Sequence, residues 1–321
     1  MHYLIGTDEA GYGPNLGPLV VSATVWRVPD GVGGDGLYDL LGEGIVSTPR
    51  AATNGSRVAM ADSKALYQPK RGLRLLERGL LTALELLDRQ PRSWTETFDA
   101  LAPESADARS ALPWYADYQS AVPLDADPAE LAPLGPSVGD ALEAAGVRLV
   151  ELRSRVVFPP EFNRLVERSG SKGTTLSHLT LGLLAELIGP LDGEPVSVVC
   201  DKHGGRNRYH DLLSEHFPDR FIEIHGEGRQ RSVYRFGSRP ARVEVRFQSK
   251  AESHLPAALA SMASKYLREL AMRAFNSFWR ERIPELRPTA GYPQDARRFR
   301  EEIAAMQVEL GIDDGVLWRN K

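Results

Sequence analysis

The first segment of the chain constrains the fold more than any other. Residues 3–14 read Tyr-Leu-Ile-Gly-Thr-Asp-Glu-Ala-Gly-Tyr-Gly-Pro, and a second apolar run follows over 18–25. This pattern predicts two strands, over 3–8 and 18–26, joined by a glycine turn. Asp8 and Glu9 end the first strand. Because burying a carboxylate is costly unless it is paired or binds a cation, this point is a candidate divalent-metal site. An acidic hairpin turn is the simpler alternative.

The composition is that of a globular protein. The chain has 321 residues, of which 42% are hydrophobic and 26% are charged. No apolar run approaches the ~20 residues of a membrane span. The single cysteine, Cys200, excludes an intrachain disulfide framework and a cysteine-rich zinc site. Met1 leads straight into the first strand, so we expect a cytoplasmic monomer without a signal peptide and without a membrane partner.

Strand and helix patterns alternate along the rest of the chain. The strands are predicted over 147–157, 196–200, 221–225, 232–236 and 241–247. The helices are predicted over about 70–87, from 159, and over about 176–187, 208–217, 256–282 and 295–310. This alternation predicts an α/β fold with a mixed sheet. Residues 29–57 and 90–150 are expected to be insertions, the second partly helical.

Four carboxylates stand at the boundaries of predicted elements. In open α/β sheets, sites form at the carboxyl ends of strands, so these side chains could converge. Their oxygen ligands suit Mg²⁺ or Mn²⁺. Two such ions stabilise the attacking water and the leaving oxygen of a phosphodiester. Taken singly, Asp201 could cap the turn that follows it, and Glu252 could be an acid at the start of a helix. The candidates are Asp8, Glu9, Asp201 and Glu252.

The charge is unevenly distributed. The formal net charge of −4 argues against a nucleic-acid partner, and over residues 99–151 the acidic residues greatly outnumber Arg109 and Arg148. Residues 229–250, however, contain seven basic residues and one acid, Glu244. A local basic strip favours a polyanionic partner, whereas its alternative is a solvated pair of surface strands.

The ordered motifs resemble those of the type 2 ribonucleases H. Residues 8–14 resemble the family's DEAGRGP motif, and 17–21 resemble the GPVV type that follows it. Residues 62–66 stand in the place of DSKKL, and 175–184 are a loose counterpart of the family's next helix. Val199-Cys200-Asp201 matches the motif that carries the family's third acid, and Lys250-Ala251-Glu252 matches the motif that carries its fourth. Ala290-Gly291-Tyr292 resembles the motif at the start of the family's helical tail.

The resemblance implies a ribonuclease H-like fold, with a mixed five-stranded sheet flanked by helices and a helical C-terminal lobe. It implies a catalytic domain over 1–283, with insertions about 29–57, 90–150 and 203–248. A C-terminal helical extension over 284–321 is expected to pack on this domain.

The resemblance also implies a metal-dependent endonuclease. The expected partner is an RNA–DNA hybrid, whose RNA strand would be cut to leave a 5′-phosphate, with two Mg²⁺ or Mn²⁺ ions as cofactors. The implied metal ligands and catalytic residues are Asp8, Glu9, Asp201 and Glu252. The glycine turn would contact the ribose 2′-hydroxyl, a lysine would approach a phosphate and a tyrosine would stack near the scissile junction. The implied substrate-binding residues are Gly11, Tyr12, Gly13, Lys64 and Tyr292.

Two positions depart from the family pattern. Tyr12 stands where the family has an arginine, and Glu252 stands where it has an aspartate. Tyrosine does not replace the charge with which arginine holds a phosphate. Two alternatives therefore stay open. One is a nucleic-acid-binding protein of this fold without catalysis, and the other is a nuclease that acts on structured RNA or a DNA junction.

Overall fold

The computed structural model describes residues 1–52, 55–68, 72–191, 193–239 and 241–320. Its strands are β1 (His2–Ala10), β2 (Leu19–Val28), β3 (Ile45–Val46), β4 (Val58–Ala59), β5 (Arg148–Val157), β6 (Val196–Asp201), β7 (Glu223–Gly226), β8 (Arg231–Phe236) and β9 (Val243–Gln248). Its α-helices are α1 (Leu37–Leu40), α2 (Ser63–Leu66), α3 (Arg74–Glu85), α4 (Trp94–Leu101), α5 (Ala106–Ser110), α6 (Pro128–Leu131), α7 (Leu134–Ala144), α8 (Pro159–Ser169), α9 (Lys172–Ile188), α10 (His210–His216), α11 (Leu255–Arg282), α12 (Pro293–Glu309) and α13 (Asp314–Leu317).

Seven of these strands form one mixed sheet in the order β5-β2-β1-β6-β9-β8-β7. β1 runs parallel to β6, and β6 runs parallel to β9. β2 is antiparallel to β1 and to β5. The predicted mixed sheet is confirmed, as is the strand pair joined by the glycine turn. The helix predicted from about residue 70 is described from Arg74, and its predicted start lies outside the described residues.

The sheet has two more strands than the five that the resemblance implies. β8 pairs antiparallel with β9, and β7 pairs antiparallel with β8, with an irregularity between Ile224 and Gly226. This hairpin lies in the chain between β6 and β9. With helices on both faces and α12 and α13 at the C-terminal end, the structure confirms the expected mixed α/β architecture, and the two further strands enlarge one edge of its sheet.

The two faces of the sheet bury separate apolar clusters. Along β1, Leu4 belongs to the cluster that includes α11, whereas Ile5 belongs to the cluster that includes α9. Gly6 then allows α11 to contact the strand directly, because a Cβ at Gly6 would lie 2.1 Å from the Ala257 nitrogen. The longest helix is therefore fixed against the strand that carries the first two candidate carboxylates.

The C-terminal helix α12 packs on α11. The ring of Phe299 in α12 lies 5.5 Å from that of Phe275 and 6.4 Å from that of Trp279, between centroids. The predicted division between 1–283 and 284–321 stays a prediction. Among the helices of the described residues, none combines the length and the apolar character that crossing a membrane requires.

A buried carboxylate fastens the second insertion to the core. Glu77 of α3 is fully buried and accepts backbone N–H bonds from Leu124, Asp125 and Ala126 at 2.6, 2.8 and 2.7 Å. The hydroxyl of Tyr266 on α11 donates a fourth bond at 2.9 Å. Four donors compensate the desolvation of this carboxylate. The insertion over 90–150, which contains α4 to α7, is thereby tied to both α3 and α11.

We expect Glu77→Gln to lower the free energy of unfolding by about 2 kcal/mol, because the amide group turns one acceptor into a donor that faces backbone N–H groups. Urea denaturation followed by circular dichroism measures this effect. Glu104→Gln is the matched control, since Glu104 is exposed and should change stability by less than about 0.5 kcal/mol. Equal losses in the two variants would contradict this account of Glu77.

Candidate active site

The sheet brings three of the four candidate carboxylates to neighbouring strand ends. Thr7 of β1 is aligned with Cys200 of β6, so the next residue along each strand, Asp8 and Asp201, occupies a neighbouring position. Glu9 follows in β1. Because β1, β6 and β9 are parallel, their carboxyl ends share one edge of the sheet, which is where such folds place their sites. We call this edge the carboxylate edge.

The two carboxylates of β1 point to opposite faces, since successive side chains of a strand alternate. Asp8 shares the α11 face with Leu4 and accepts a hydrogen bond from Ser261 of α11. Ser261 Oγ also lies 3.0 Å from the hydroxyl of Ser63, at the start of α2. Glu9 faces the side covered by α9. The helix α11 thus orients one of the two adjacent acids and leaves the other for the opposite face.

A tight turn links the remaining two carboxylates. The backbone N–H groups of Lys250 and Ala251 donate to the Asp201 carboxylate, as does that of Lys202. Lys250 has a φ of +61°, which redirects the chain after β9 into the 3-10 turn Ala251–Ser253 that carries Glu252. Asp201 therefore binds the start of this turn, which is not the turn that follows Asp201 in sequence, and the same bonds hold Glu252 close to Asp201.

The electrostatics of the four acids are coupled. Burial, together with the nearby carboxylates of Asp201 and Glu252, raises the pKa of Asp8 to about 7. Burial and the charge of Asp8 raise the pKa of Glu9 to about 8, which the Lys64 ammonium opposes. Burial also raises the pKa of Asp201. Like charges at close range favour protonation, whereas a bound cation would favour the ionised forms.

The donor chemistry fits Mg²⁺ or Mn²⁺, because the four side chains offer only carboxylate oxygens. In the side-chain conformations of the part of the chain that the structure describes, no three His, Cys, Asp or Glu groups meet closely enough to hold a metal ion. Simultaneous ligation by all four acids would require side-chain rotation.

The metal-free stability should depend on pH through Asp8. Its pKa of about 7 in the folded state exceeds the ordinary aspartate value of 3.8, so the folded protein binds more protons than the unfolded protein between these pH values. Stability is then lost as pH rises through this window. We expect Asp8→Asn, in the presence of a chelator, to raise Tm by a few degrees at pH 8 and to leave it unchanged at pH 4. A Tm difference that is the same at both pH values would contradict this linkage.

The glycine turn depends on a backbone conformation that only glycine adopts easily. Gly11 has a φ of +89°, and a Cβ there would lie 2.4 Å from the Pro18 carbonyl oxygen. Its own carbonyl accepts a hydrogen bond from the guanidinium of Arg319, and the Tyr12 carbonyl accepts a second from the same group at 3.3 Å. The turn is therefore held by its carbonyl groups.

A second buried arginine supports the far end of the same turn. Arg268 of α11 donates to the carbonyls of Pro18 at 2.7 Å, Leu16 at 3.2 Å and Ala290 at 3.0 Å. Burial lowers the pKa of Arg268 and lowers that of Arg319 to about 9, and the two guanidinium groups repel each other. Neither Arg268 nor Arg319 was predicted from the sequence. Two buried guanidinium groups thus hold the glycine turn by donating to backbone carbonyls.

Tyr12 contacts elements on both sides of the turn. Its hydroxyl would be 2.8 Å from a Cβ on Gly204, in the loop after β6, and 3.5 Å from one on Gly173 of α9. The ammonium of Lys172 lies 5.8 Å from the centroid of the Tyr12 ring. A cation thus stands beside the tyrosine that occupies the position of the family's arginine.

The two remaining predicted site residues lie near the same edge. Lys64 is exposed in α2, a helix capped by Asp62 through an N–H bond of 3.0 Å. The charge of Asp62 raises the pKa of Lys64 most, and those of the candidate carboxylates, Asp8 among them, add to it. Tyr292 is 57% exposed, and its Cε1 would lie 4.0 Å from a Cβ on Gly13. The structure therefore brings Lys64 near the carboxylates and Tyr292 beside the glycine turn.

No model of a known protein family matches this sequence, and no curated protein matches it. Among solved structures, one chain in the PCNA:RNase HII complex from Archaeoglobus fulgidus is 18% identical with a TM-score of 0.44, covering 99% of this chain and 94% of that chain. The ribonuclease H2 from Pyrococcus horikoshii OT3 is 16% identical with a TM-score of 0.43, covering 98% and 92%. Bst-RNase HIII in complex with Mn²⁺ is 15% identical with a TM-score of 0.43, covering 99% and 65%. These similar structures are ribonucleases HII and HIII.

Proposed function

We propose that this protein is a metal-dependent endonuclease that hydrolyses the RNA strand of RNA–DNA hybrids by a two-metal mechanism. One observation carries the proposal: acidic residues end or follow three adjacent parallel strands, next to a glycine turn whose carbonyl groups are bonded to two buried arginines. Asp8 and Asp201 occupy neighbouring strand positions, and Glu252 is held near them by the turn bonded to Asp201. A cluster of carboxylates with raised pKa values at a sheet edge is typical of a functional site.

Hydrogen bonds orient two of the four carboxylates. Ser261 orients Asp8, and the N–H groups at 250 and 251 orient Asp201. Asp8, Glu9, Asp201 and Glu252 would hold the ions. Divalent cations bound there supply Lewis-acid stabilisation of the phosphate and a water of lowered pKa. Lys64, exposed beside the carboxylates, is placed to bind a phosphate oxygen of the substrate.

Recognition of RNA is assigned to the glycine turn. Arg319 and Arg268 engage carbonyl groups of the turn, and Gly13 places no side chain between the turn and the ring of Tyr292. Backbone groups of Gly11 and Gly13 are then available to a ribose 2′-hydroxyl, the group that distinguishes RNA from DNA. The exposed ring of Tyr292, next to Gly13, offers a surface on which a nucleotide can stack.

The proposal is tested with end-labelled duplexes of one sequence, made as RNA–DNA hybrid, RNA–RNA and DNA–DNA, together with a structured RNA and a DNA four-way junction. Each is incubated with Mg²⁺, with Mn²⁺ or with a chelator. We expect metal-dependent nicking of the RNA strand of the hybrid, with 5′-phosphate ends. Exclusive cleavage of the structured RNA or the junction would replace this function with that of another nuclease.

Tyr12 favours one further candidate, a hybrid-binding protein without catalysis, because the side chain at this position is uncharged. Fluorescence anisotropy with the same duplexes distinguishes the two. Tight, salt-sensitive binding of the hybrid with no cleavage in either metal would support the binding protein and reject the endonuclease.

A further inference from the structure

The hairpin formed by β7 and β8 carries its charges in two different environments. Three arginines of the hairpin and the adjoining β9 region are neutralised: Arg235 of β8 and Arg246 of β9 both bond to Glu244, at 2.7 and 2.8 Å, and Arg242, just before β9, pairs with Glu223 of β7. The basic strip of the sequence is therefore not uniformly positive. Only the unpaired positive charges are available to bind a polyanionic partner.

Three unpaired cations of the strip gather at the carboxylate edge. Arg229, Arg231 and Lys250 are exposed, and none has a hydrogen-bond or ion-pair partner for its side chain among the described residues. Arg231 begins β8 and is aligned with Gln248, the last residue of β9. Because β9 ends at the carboxylate edge, the antiparallel β8 begins there. We call these three residues the edge cations.

The surroundings of the edge cations are suited to binding an anion. A shallow groove is lined there by Gly228, Arg229, Gln230, Arg231, Gln248 and Ser249, which include amide, hydroxyl and guanidinium donors. Two acids lie within two residues of an edge cation. Glu227 is engaged by the Tyr234 hydroxyl at 2.5 Å and by Arg208 at 3.7 Å, and Glu252 is a candidate metal ligand. The positive charge of the groove is thus not cancelled locally.

A lysine next to a candidate catalytic acid holds this groove in place. Lys202, which directly follows Asp201, donates to the Gly228 carbonyl at 2.7 Å and to Asn207 Oδ1 at 3.0 Å. Ser232 of β8 donates to the Asn207 carbonyl at 2.6 Å. The groove is therefore fastened to the loop that leaves the carboxylate edge. Its position relative to Asp201 is set by these three hydrogen bonds rather than by a flexible connection.

We infer that the edge cations bind the phosphate backbone of nucleic acid that flanks the cleavage site. β8 lies two strand spacings from β6, or about 10 Å, which corresponds to about three nucleotides along a strand with a rise of about 3.4 Å per nucleotide. A substrate positioned at the carboxylates would thus extend its flanking phosphates over the groove. This inference rests on the proposed function, because it takes the carboxylate edge as the place where nucleic acid is bound.

The test compares Arg229→Gln/Arg231→Gln with the wild type by anisotropy, using a labelled RNA–DNA hybrid in Ca²⁺ at about 50–200 mM salt. Lys250 is left unchanged, since its backbone holds Asp201. Losing two phosphate contacts should reduce the slope of log K against log salt by about 1.8. The wild-type affinity should accordingly fall about tenfold more than that of the variant across this fourfold range of salt.

Arg239→Gln is the matched control. Arg239 is exposed in the connection between β8 and β9, but it follows Phe236, which is aligned with the first residue of β9, at the end of the strands opposite the carboxylate edge. It should leave the salt slope unchanged. Equal slopes in the wild type and the double variant, or an equal reduction in Arg239→Gln, would overturn the inference. A wild type that binds no nucleic acid would instead reject the proposed function.

Discussion

Replacing Asp8 or Asp201 by asparagine is expected to reduce cleavage of an RNA–DNA hybrid by about a thousandfold. Each change removes one negative charge at the carboxylate edge, and lost stabilisation of several kcal/mol corresponds to about this factor in rate. Single-turnover rates at saturating Mg²⁺ and Mn²⁺ give the effect on chemistry. Anisotropy with the same hybrid should show affinity within a few-fold of the wild type, because the edge cations and the glycine turn are unchanged.

The control for this prediction lies at the other end of β6. Glu194 precedes β6 and pairs with Arg27 at 3.1 Å, whereas Asp201 ends it. Glu194→Gln therefore alters one carboxylate next to the same strand without touching the carboxylate edge, and it should retain wild-type cleavage. Activity that survives in Asp8→Asn, or that is lost equally in Glu194→Gln, would contradict the assignment of the catalytic carboxylates.

Arg268→Leu should destabilise the protein by about 3 kcal/mol. It leaves three carbonyl groups without their donor, and each unsatisfied buried acceptor costs about 1–3 kcal/mol, part of which is returned as the repulsion with Arg319 disappears. The loss should appear in urea denaturation and as a lower kcat/KM for the hybrid, because the glycine turn loses part of its support.

Arg273 provides the comparison on the same helix. It is exposed and pairs with Asp125 at 3.1 Å, so Arg273→Leu should cost less than about 1 kcal/mol. Arg268→Lys should recover only part of the stability, since an ammonium group cannot reproduce the fork with which guanidinium reaches several carbonyls. A fully stable Arg268→Leu variant would show that solvent, rather than Arg268, satisfies these carbonyl groups.

The secondary structure of the sheet could be predicted because its signals are local. The apolar run that ends at Asp201 and the alternation along 232–236 each specify a strand from neighbouring residues alone. Pro159 and Pro256 likewise mark the first turns of α8 and α11. The carboxylates were identifiable because they interrupt or follow apolar strands. That all four meet at metal-ligand distance stays a prediction.

The support of the glycine turn could not be predicted, because a buried arginine bonded to backbone carbonyls has no partner that the sequence reveals. Arg268 lies on a helix buried around most of its circumference, so no polar face distinguishes it. Arg319 is 308 residues from the carbonyl that it binds. Contacts of this range depend on the tertiary structure, and composition or periodicity carries no trace of them.

The basic strip was predicted only in part for a related reason. Its neutralisation depends on Glu223, which lies outside the strip and comes beside it through the pairing of β7 with β8. Strand register decides which charges are opposite each other, and the sequence does not state it. The unpaired arginines could be separated from the paired ones only after β8 was aligned with β9.

The added hairpin also determines how the sheet ends. Without it, β9 would be the outermost strand, a six-residue segment with Val243, Val245 and Phe247 and a full row of unpaired backbone groups. The outermost strand is instead β7, which has four residues, an irregularity and the charged Glu223. Short, irregular and charged edge strands resist edge-to-edge association. Removing the hairpin would therefore create an aggregation-prone edge.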